Sequence, residues 1–187
     1  MEKVLAAGGF PLAPLPAVLV SCGTVEQPLA LTIAWTGIVS SQPLRVYISV
    51  QPVRHSFPVI RDSGEFVINL ADAGLLGALD YCGTHSGRDV EKFAACSLTA
   101  VPASHVSAPL IAESPLSLEC RVCRRLPMGS HEMFIADIAA VHADPVLLDE
   151  NGRLCFERLP VVGYANSRYF ALGEMLGSFG CSRDLIR

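Results

Sequence analysis

Four short stretches carry side chains of types that could hold a flat ligand with an anionic end. The chain's single tryptophan lies in Leu31-Thr-Ile-Ala-Trp-Thr-Gly-Ile-Val-Ser-Ser-Gln-Pro43, where Trp35 is flanked by Thr32, Thr36, Gly37, Ser40 and Ser41. A heteroaromatic ligand needs an aromatic wall and a backbone that it can approach closely, and Trp35 beside Thr36-Gly37 offers both. The plain alternative is a half-buried strand whose tryptophan belongs to the core. In Ser49-Val-Gln-Pro-Val-Arg-His-Ser-Phe-Pro58, Ser56 reads as a helix N-cap with Pro58 in the first turn. The free amides of that helix start would then lie beside the Arg54 guanidinium, which is anion-binding geometry. Ser49, on the polar face of the preceding strand, would meet the same anion. The competing reading is an ordinary capped helix with a solvated arginine.

Cys82-Gly-Thr-His-Ser-Gly-Arg-Asp-Val-Glu-Lys-Phe93 is loop-like from Gly83 to Gly87, and Asp89 can cap the turn that follows. Lys92, one of only two lysines, either brings a positive charge near a ligand's polar edge or is simply an exposed side chain. In Met128-Gly-Ser-His-Glu-Met-Phe134, His131 stands at a turn entering a strand. Its near-neutral pKa suits a site residue, although solvated histidines are the commoner outcome.

Machinery for other chemistries is missing. Cys120-Arg-Val-Cys123 falls on a strand, where residues three apart point to opposite faces, so these sulfurs can neither chelate one metal nor pair without distortion. No other Cys or His pair has metal-ligand spacing, no GxSxG or Walker sequence occurs, and no acid pair stands out. Metal, hydrolytic and phosphoryl-transfer centres are therefore not expected. His142 alternates with Phe134, Ala136, Ile138 and Ala140 and reads as structural.

The elements that must position these residues are mostly extended. Segments 16–22, 30–39, 44–50, 65–70, 116–126 and 133–143 read as strands separated by Gly, Pro and Ser turns. In 44–50 the alternation is clean, with Leu44, Val46, Ile48 and Val50 on one face and Arg45, Tyr47 and Ser49 on the other. Helices are predicted at about 55–62, 73–83 and 167–176, with a short turn at 89–95. Many strands and few helices point to a mainly β protein, an antiparallel β-barrel decorated with helices, and no βαβ alternation supports a Rossmann-type sheet.

A chain of 187 residues predicts one domain over 1–187, and 51% apolar against 17% charged residues supplies a real core. A net charge of −4 with no basic run beyond Arg124-Arg125 excludes the electrostatic footprint of a nucleic-acid binder. Residues 4–25 carry no charge, but Pro11, Pro14 and Pro16 after Gly8-Gly9 would break a spanning helix or signal core, so a buried strand from Ala17 to Val20 is expected rather than a membrane segment. Seven scattered cysteines fit a reducing, cytoplasmic setting better than a disulfide framework. The apolar excess predicts a subunit interface, and a homodimer is the simplest form of it.

Taken in order, these stretches resemble the flavin reductase-like, flavoredoxin-type FMN-binding split-barrel family. The resemblance rests on Thr32-Ile-Ala-Trp35 with Ser41-Gln-Pro43, Arg54-His-Ser56, Gly64-Glu-Phe-Val-Ile-Asn69, Gly87-Arg-Asp-Val-Glu-Lys-Phe93, His131 ahead of Phe134-Ile-Ala, and Tyr169-Phe-Ala-Leu-Gly-Glu174 with Gly177-Ser-Phe-Gly180. It implies a split β-barrel, a homodimer and one FMN per subunit near the subunit interface. By the same resemblance Trp35 lies against the isoalloxazine, Arg54 and Ser56 hold the phosphate, Lys92 and His131 approach the ring's polar edge as catalytic residues, and Tyr164 stands near the flavin. The family commonly has Asn three residues before the threonine of its Thr-x-Ala-Trp motif, and this chain has Leu29. The implied activity is hydride transfer from NAD(P)H to bound FMN and on to free flavin, iron, a protein or oxygen. Its rivals are an electron carrier reduced by a partner protein, and a split barrel without flavin.

Overall fold

The computed structural model describes residues 2–9 and 11–182. Its strands are β1 (Leu15–Pro16), β2 (Val18–Gly23), β3 (Pro28–Ile33), β4 (Thr36–Ser41), β5 (Leu44–Val50), β6 (Glu65–Leu70), β7 (Ala100–Val101), β8 (Leu110–Ile111), β9 (Leu116–Met128), β10 (His131–Ala143), β11 (Val162–Ala165) and β12 (Arg168–Ala171). The α-helices are α1 (Ser56–Ser63), α2 (Leu76–Thr84) and α3 (Lys92–Ala95), with 3-10 turns at Ala73–Leu75, Pro145–Leu147 and Phe156–Arg158.

Seven strands form one antiparallel sheet in the order β3-β2-β6-β9-β10-β5-β4. The two edges, β3 and β4, are consecutive in the chain, separated only by Ala34 and Trp35. From Ile33 to Thr36 the backbone reaches roughly 11 Å at full extension. The two ends of the sheet are therefore brought together where the chain crosses between them, and the sheet is rolled into a barrel that stays split between β3 and β4. Ser49 N on β5 donates to Trp35 O at 2.9 Å, extending the β4–β5 ladder to the seam. The expectation of one strand over 30–39 is thus corrected: the chain leaves one edge and enters the other at Trp35.

Alternation sorts the side chains. Val18, Val20 and Cys22 of β2 enter the barrel core with Ile48, Ile60, Phe66 and Phe134. Leu19, on the opposite face, joins Leu75, Leu79, Cys82 and Phe93 in a second cluster beneath α2 and α3. Both faces of β2 are covered, so it reads as an unbroken apolar run. This accounts for residues 17–22 of the charge-free stretch, whose earlier residues Val4, Leu5 and Leu12 are exposed, and no helix among the described residues is long and apolar enough to cross a membrane.

A buried polar lattice fastens the 99–115 excursion to the barrel. Asn69 Nδ2 donates to Leu19 O and to Ser21 Oγ, and its Oδ1 accepts from Ile111 N and from Ser117 Oγ. Glu119, with no exposed surface, accepts from Ser104 N at 2.7 Å, His105 N at 2.6 Å and Val106 N at 3.1 Å, and contacts His142 Nε2 at 2.5 Å. Desolvation opposes charge on this carboxyl, but the Ser104 amide, His142 and the His105 amide outweigh it and hold its pKa below the usual value.

The helix expected near 167–176 does not form. Asn166 and Ser167 both adopt positive φ, at 46° and 62°, and make the two-residue turn that joins β11 to β12. These strands pair with β1 in a small three-stranded sheet that brings Tyr164 and Tyr169 to the barrel mouth. α1 runs to Ser63, one residue past the expected 62, and Gly64, with φ of 69°, gives the left-handed C-cap with its N–H donating to Ile60 O.

Candidate functional site

Two clefts meet beside the barrel seam and share Gln51, Arg54 and Thr84. The larger, of about 510 Å3, is aromatic. Trp35 stands at the seam with its carbonyl fixed by Ser49 N. Its ring lies 4.4 Å from that of His131, tilted by 43°. His131 opens β10, and its Nδ1 is 2.9 Å from Ser130 Oγ. Burial lowers the imidazole's pKa, and the charge of Arg54 pushes the same way, so the neutral ring is favoured. The opposite wall comes from Tyr164 and Tyr169, whose rings meet edge-on at 5.6 Å. Tyr169 donates its hydroxyl to Asp80 of α2 at 3.1 Å, and burial together with that carboxylate pushes its phenol up to about 12.

The smaller cleft, of about 310 Å3, is basic and lies at the start of α1. Arg54 occupies the turn before the helix and donates from Nη1 to Gly83 O at 3.2 Å. The N-cap is His55 rather than Ser56, and no side chain caps the helix. Ser56 is instead the first helical residue, buried, with its hydroxyl against the Cys22 thiol. Phe57 N donates to Arg54 O at 3.0 Å and Pro58 has no N–H, so the partial positive charge at this end rests on the Ser56 amide and the helix dipole. Lys92 is nearly buried and donates from Nζ to Cys82 O at 2.7 Å. Burial lowers its pKa and Arg54 adds to this, so an anion bound here would favour the charged ammonium. The Ser86-Gly87-Arg88 loop forms the rim, and a Cβ on Gly87 would come within 2.9 Å of His55 Cδ2, so only glycine fits this approach without a shift.

Trp35, Ser49, Arg54, Ser56, Lys92, His131 and Tyr164 all line one cleft or the other. Lys92 and His131 do not share one: the lysine faces the basic end and the histidine the aromatic end. Thr36, Gly37, Ser40 and Ser41 line neither cleft. Thr36 donates its hydroxyl to Tyr47 O, Gly37 closes against the Tyr47 ring, and Ser40 and Ser41 end the β4 edge strand. Leu29 packs against the barrel core, paired with Cys22 across β2 and β3.

Gln51, Asp80, Thr84, Ser86, Arg88 and Tyr169 complete the walls and were not singled out as site residues in the sequence. Ser86 and Arg88 fall inside the flagged 82–93 stretch, so their position was within reach. The Asp80–Tyr169 pair joins residues 89 apart, and no local pattern marks it. Among the described residues no group of three or more His, Cys, Asp or Glu side chains could hold a metal ion.

The model of the flavin reductase like domain matches residues 11–173. Flavoredoxin of Desulfovibrio vulgaris (Miyazaki F) is 30% identical and superposes with a TM-score of 0.88 over 98% of this chain and 100% of that one. Flavoredoxin from Methanosarcina acetivorans, at 22% identity, shares the fold with a TM-score of 0.91 over 100% of both chains. An uncharacterized protein of Archaeoglobus fulgidus is 34% identical over 134 residues, which is 71% of this chain and 75% of that protein. With the rolled seven-stranded sheet and the family match spanning nearly all of it, this chain is a member of the flavin reductase like family.

Proposed function

We propose that the two clefts together bind one FMN per chain and that the protein is an NAD(P)H-dependent flavin reductase. The observation that carries this reading is the continuity of a basic pocket and an aromatic one through Arg54. A phosphate suits the smaller cleft, where Arg54, Lys92 and the Ser56 hydroxyl and amide converge, and a flat ring suits the larger, between Trp35, His131 and Tyr164. When bound, FMN supplies the centre that takes hydride from a nicotinamide and passes electrons to an acceptor.

The chain's own residues do the positioning. Arg54 and Lys92 anchor the anionic end, so that the aromatic walls meet the other end in a fixed register. Trp35 and Tyr164 exclude water from two sides of the larger cleft. With Nδ1 held by Ser130, His131 has Nε2 left to hold or accept a proton at that cleft. Lys92 thus acts at the phosphate end, and His131 is the residue assigned to the reacting end.

The working unit in this reading is a homodimer. Ile38, Leu44 and Val53 are exposed apolar side chains on the β4–β5 hairpin and the turn before α1, and a second copy would cover them. Free cysteines throughout the described chain agree with a cytoplasmic setting.

Anaerobic stopped-flow mixing of the FMN-loaded protein with NADH and NADPH tests the activity. Bleaching of the flavin band by either nucleotide is expected. The likeness to a flavoredoxin favours one second reading, an electron carrier reduced by a partner protein. That reading expects a flavin reduced by dithionite and inert to both nucleotides.

A further inference from the structure

Two thiols meet directly behind the basic cleft. Cys82, on α2, is 1% exposed, and Cys96, which follows α3, packs against the same apolar cluster with its thiol beside that of Cys82. Both cysteines also hold Lys92: Cys82 O accepts from Lys92 Nζ at 2.7 Å, and Cys96 N donates to Lys92 O at 3.0 Å. Around the pair lie the apolar side chains of Leu79, Phe93 and Leu98. Cys96 alone opens to the surface, in a depression of about 490 Å3 beside Tyr81 and Glu113. The other thiols are placed differently, Cys22 against Ser56, Cys120, Cys123 and Cys155 donating to backbone carbonyls, and Cys181 exposed near Gly177.

We propose that Cys82 and Cys96 form a reversible disulfide that locks the 83–95 segment against α2 and so fixes the rim and the lysine of the basic cleft. The site consists of one sulfur that a small oxidant can reach and one buried sulfur beside it. The oxidant is a low-molecular-weight disulfide. Cys96, as thiolate, attacks one of its sulfurs and expels one thiol; Cys82, as thiolate, then attacks the Cys96 sulfur and expels the second. The two protons lost by the protein end on the two small thiols released, and the two electrons reduce the small disulfide. Burial raises the Cys82 pKa and so slows the second step, which is compensated by its being intramolecular between neighbouring sulfurs. Lys92 beside it favours the thiolate in that step. None of this depends on what the cleft holds.

Oxidised glutathione added to the full-length protein, over a series of ratios, tests the proposal. After blocking of free thiols, digestion with trypsin and a glutamate-specific protease separates Cys82, Cys96 and Cys120 onto different peptides. A Cys82–Cys96 linked pair is expected, lost on reduction with dithiothreitol and absent from C96S. Amide exchange across 83–95 should slow in the oxidised wild type and stay unchanged in C96S given the same treatment. A mixed disulfide that persists at Cys96, a linkage to any other cysteine in place of this one, or unchanged exchange across 83–95 would overturn it. The wild-type peptide map stands whether or not C96S folds, and the assay contains no flavin, so its outcome is separate from that of the FMN reading.

Discussion

Arg54 is the residue on which the site turns, because it belongs to both clefts and its charge is felt by His131 and by Lys92. Removing it should cost one charged contact to a phosphate, about 1.5–3 kcal/mol, or a ten- to hundredfold rise in the Kd for FMN. Riboflavin, which has the ring and no phosphate, should bind Arg54→Ala nearly as it binds the wild type. Equal losses for the two flavins in fluorescence titrations would place Arg54 away from the phosphate. Trp35→Ala should weaken both flavins while the fold survives, and unchanged affinity would refute the aromatic wall. His131 offers an independent check, since burial first and Arg54 second lower its pKa from the ordinary value of 6.5. A depressed folded pKa means that neutral His131 is favoured on folding. Its stability contribution is present above the unfolded value and is lost as pH falls through the folded one. Its imidazole signal in NMR should titrate below 6.5, and Arg54→Ala should move the midpoint upward. A midpoint above 6.5 would contradict the desolvated geometry.

Elements explain why some of this was legible in the sequence and some was not. The alternation in Leu44–Val50 is local, so the sequence places Ser49 on the polar side, and β5 puts it in the cleft wall. The stretch around Trp35 looks like one strand because nothing local marks the two residues where the chain crosses between sheet edges. That crossing turns Thr36 and Gly37 onto Tyr47 and away from the cleft. The tail was misread because Tyr169 and Phe170 fit either a helix or a strand, and the positive φ of Asn166 and Ser167 decides for a hairpin. Glu119 shows the same limit: its partners lie 13–15 residues earlier, at Val106, His105 and Ser104, with His142 later in β10. Glu119→Ala would leave the Ser104, His105 and Val106 amides without their acceptor, the last of them buried, and should destabilise the protein by about 2 kcal/mol in urea unfolding. Its lowered carboxyl pKa stabilises the fold above the unfolded value, and that stability is lost as pH falls through the folded pKa. Glu119→Gln should flatten this acid limb, and an acid limb identical to wild type would mean that Glu119 does not fasten the loop.

At the scale of the whole molecule, the apolar excess divides between two large buried clusters, two small ones and a remaining exposed set. The barrel core and the cluster beneath α2 and α3 absorb residues 17–22 of the charge-free stretch, while Val4, Leu5 and Leu12 stay exposed. Ile38, at 75% exposed, and Val53, at 65%, stay outside, close to the seam that carries Trp35. A homodimer should therefore be seen by light scattering at micromolar concentration, and a monomer would remove this explanation of the exposed surface. The family match, the rolled sheet and the joined clefts all bear on one claim, that a phosphate-bearing flavin lies across Arg54. Calorimetric titration of flavin-free protein with FMN tests it most directly. One FMN per chain, bound at least tenfold more tightly than riboflavin, is the expected result, and no binding, or equal affinity for the two flavins, would contradict it.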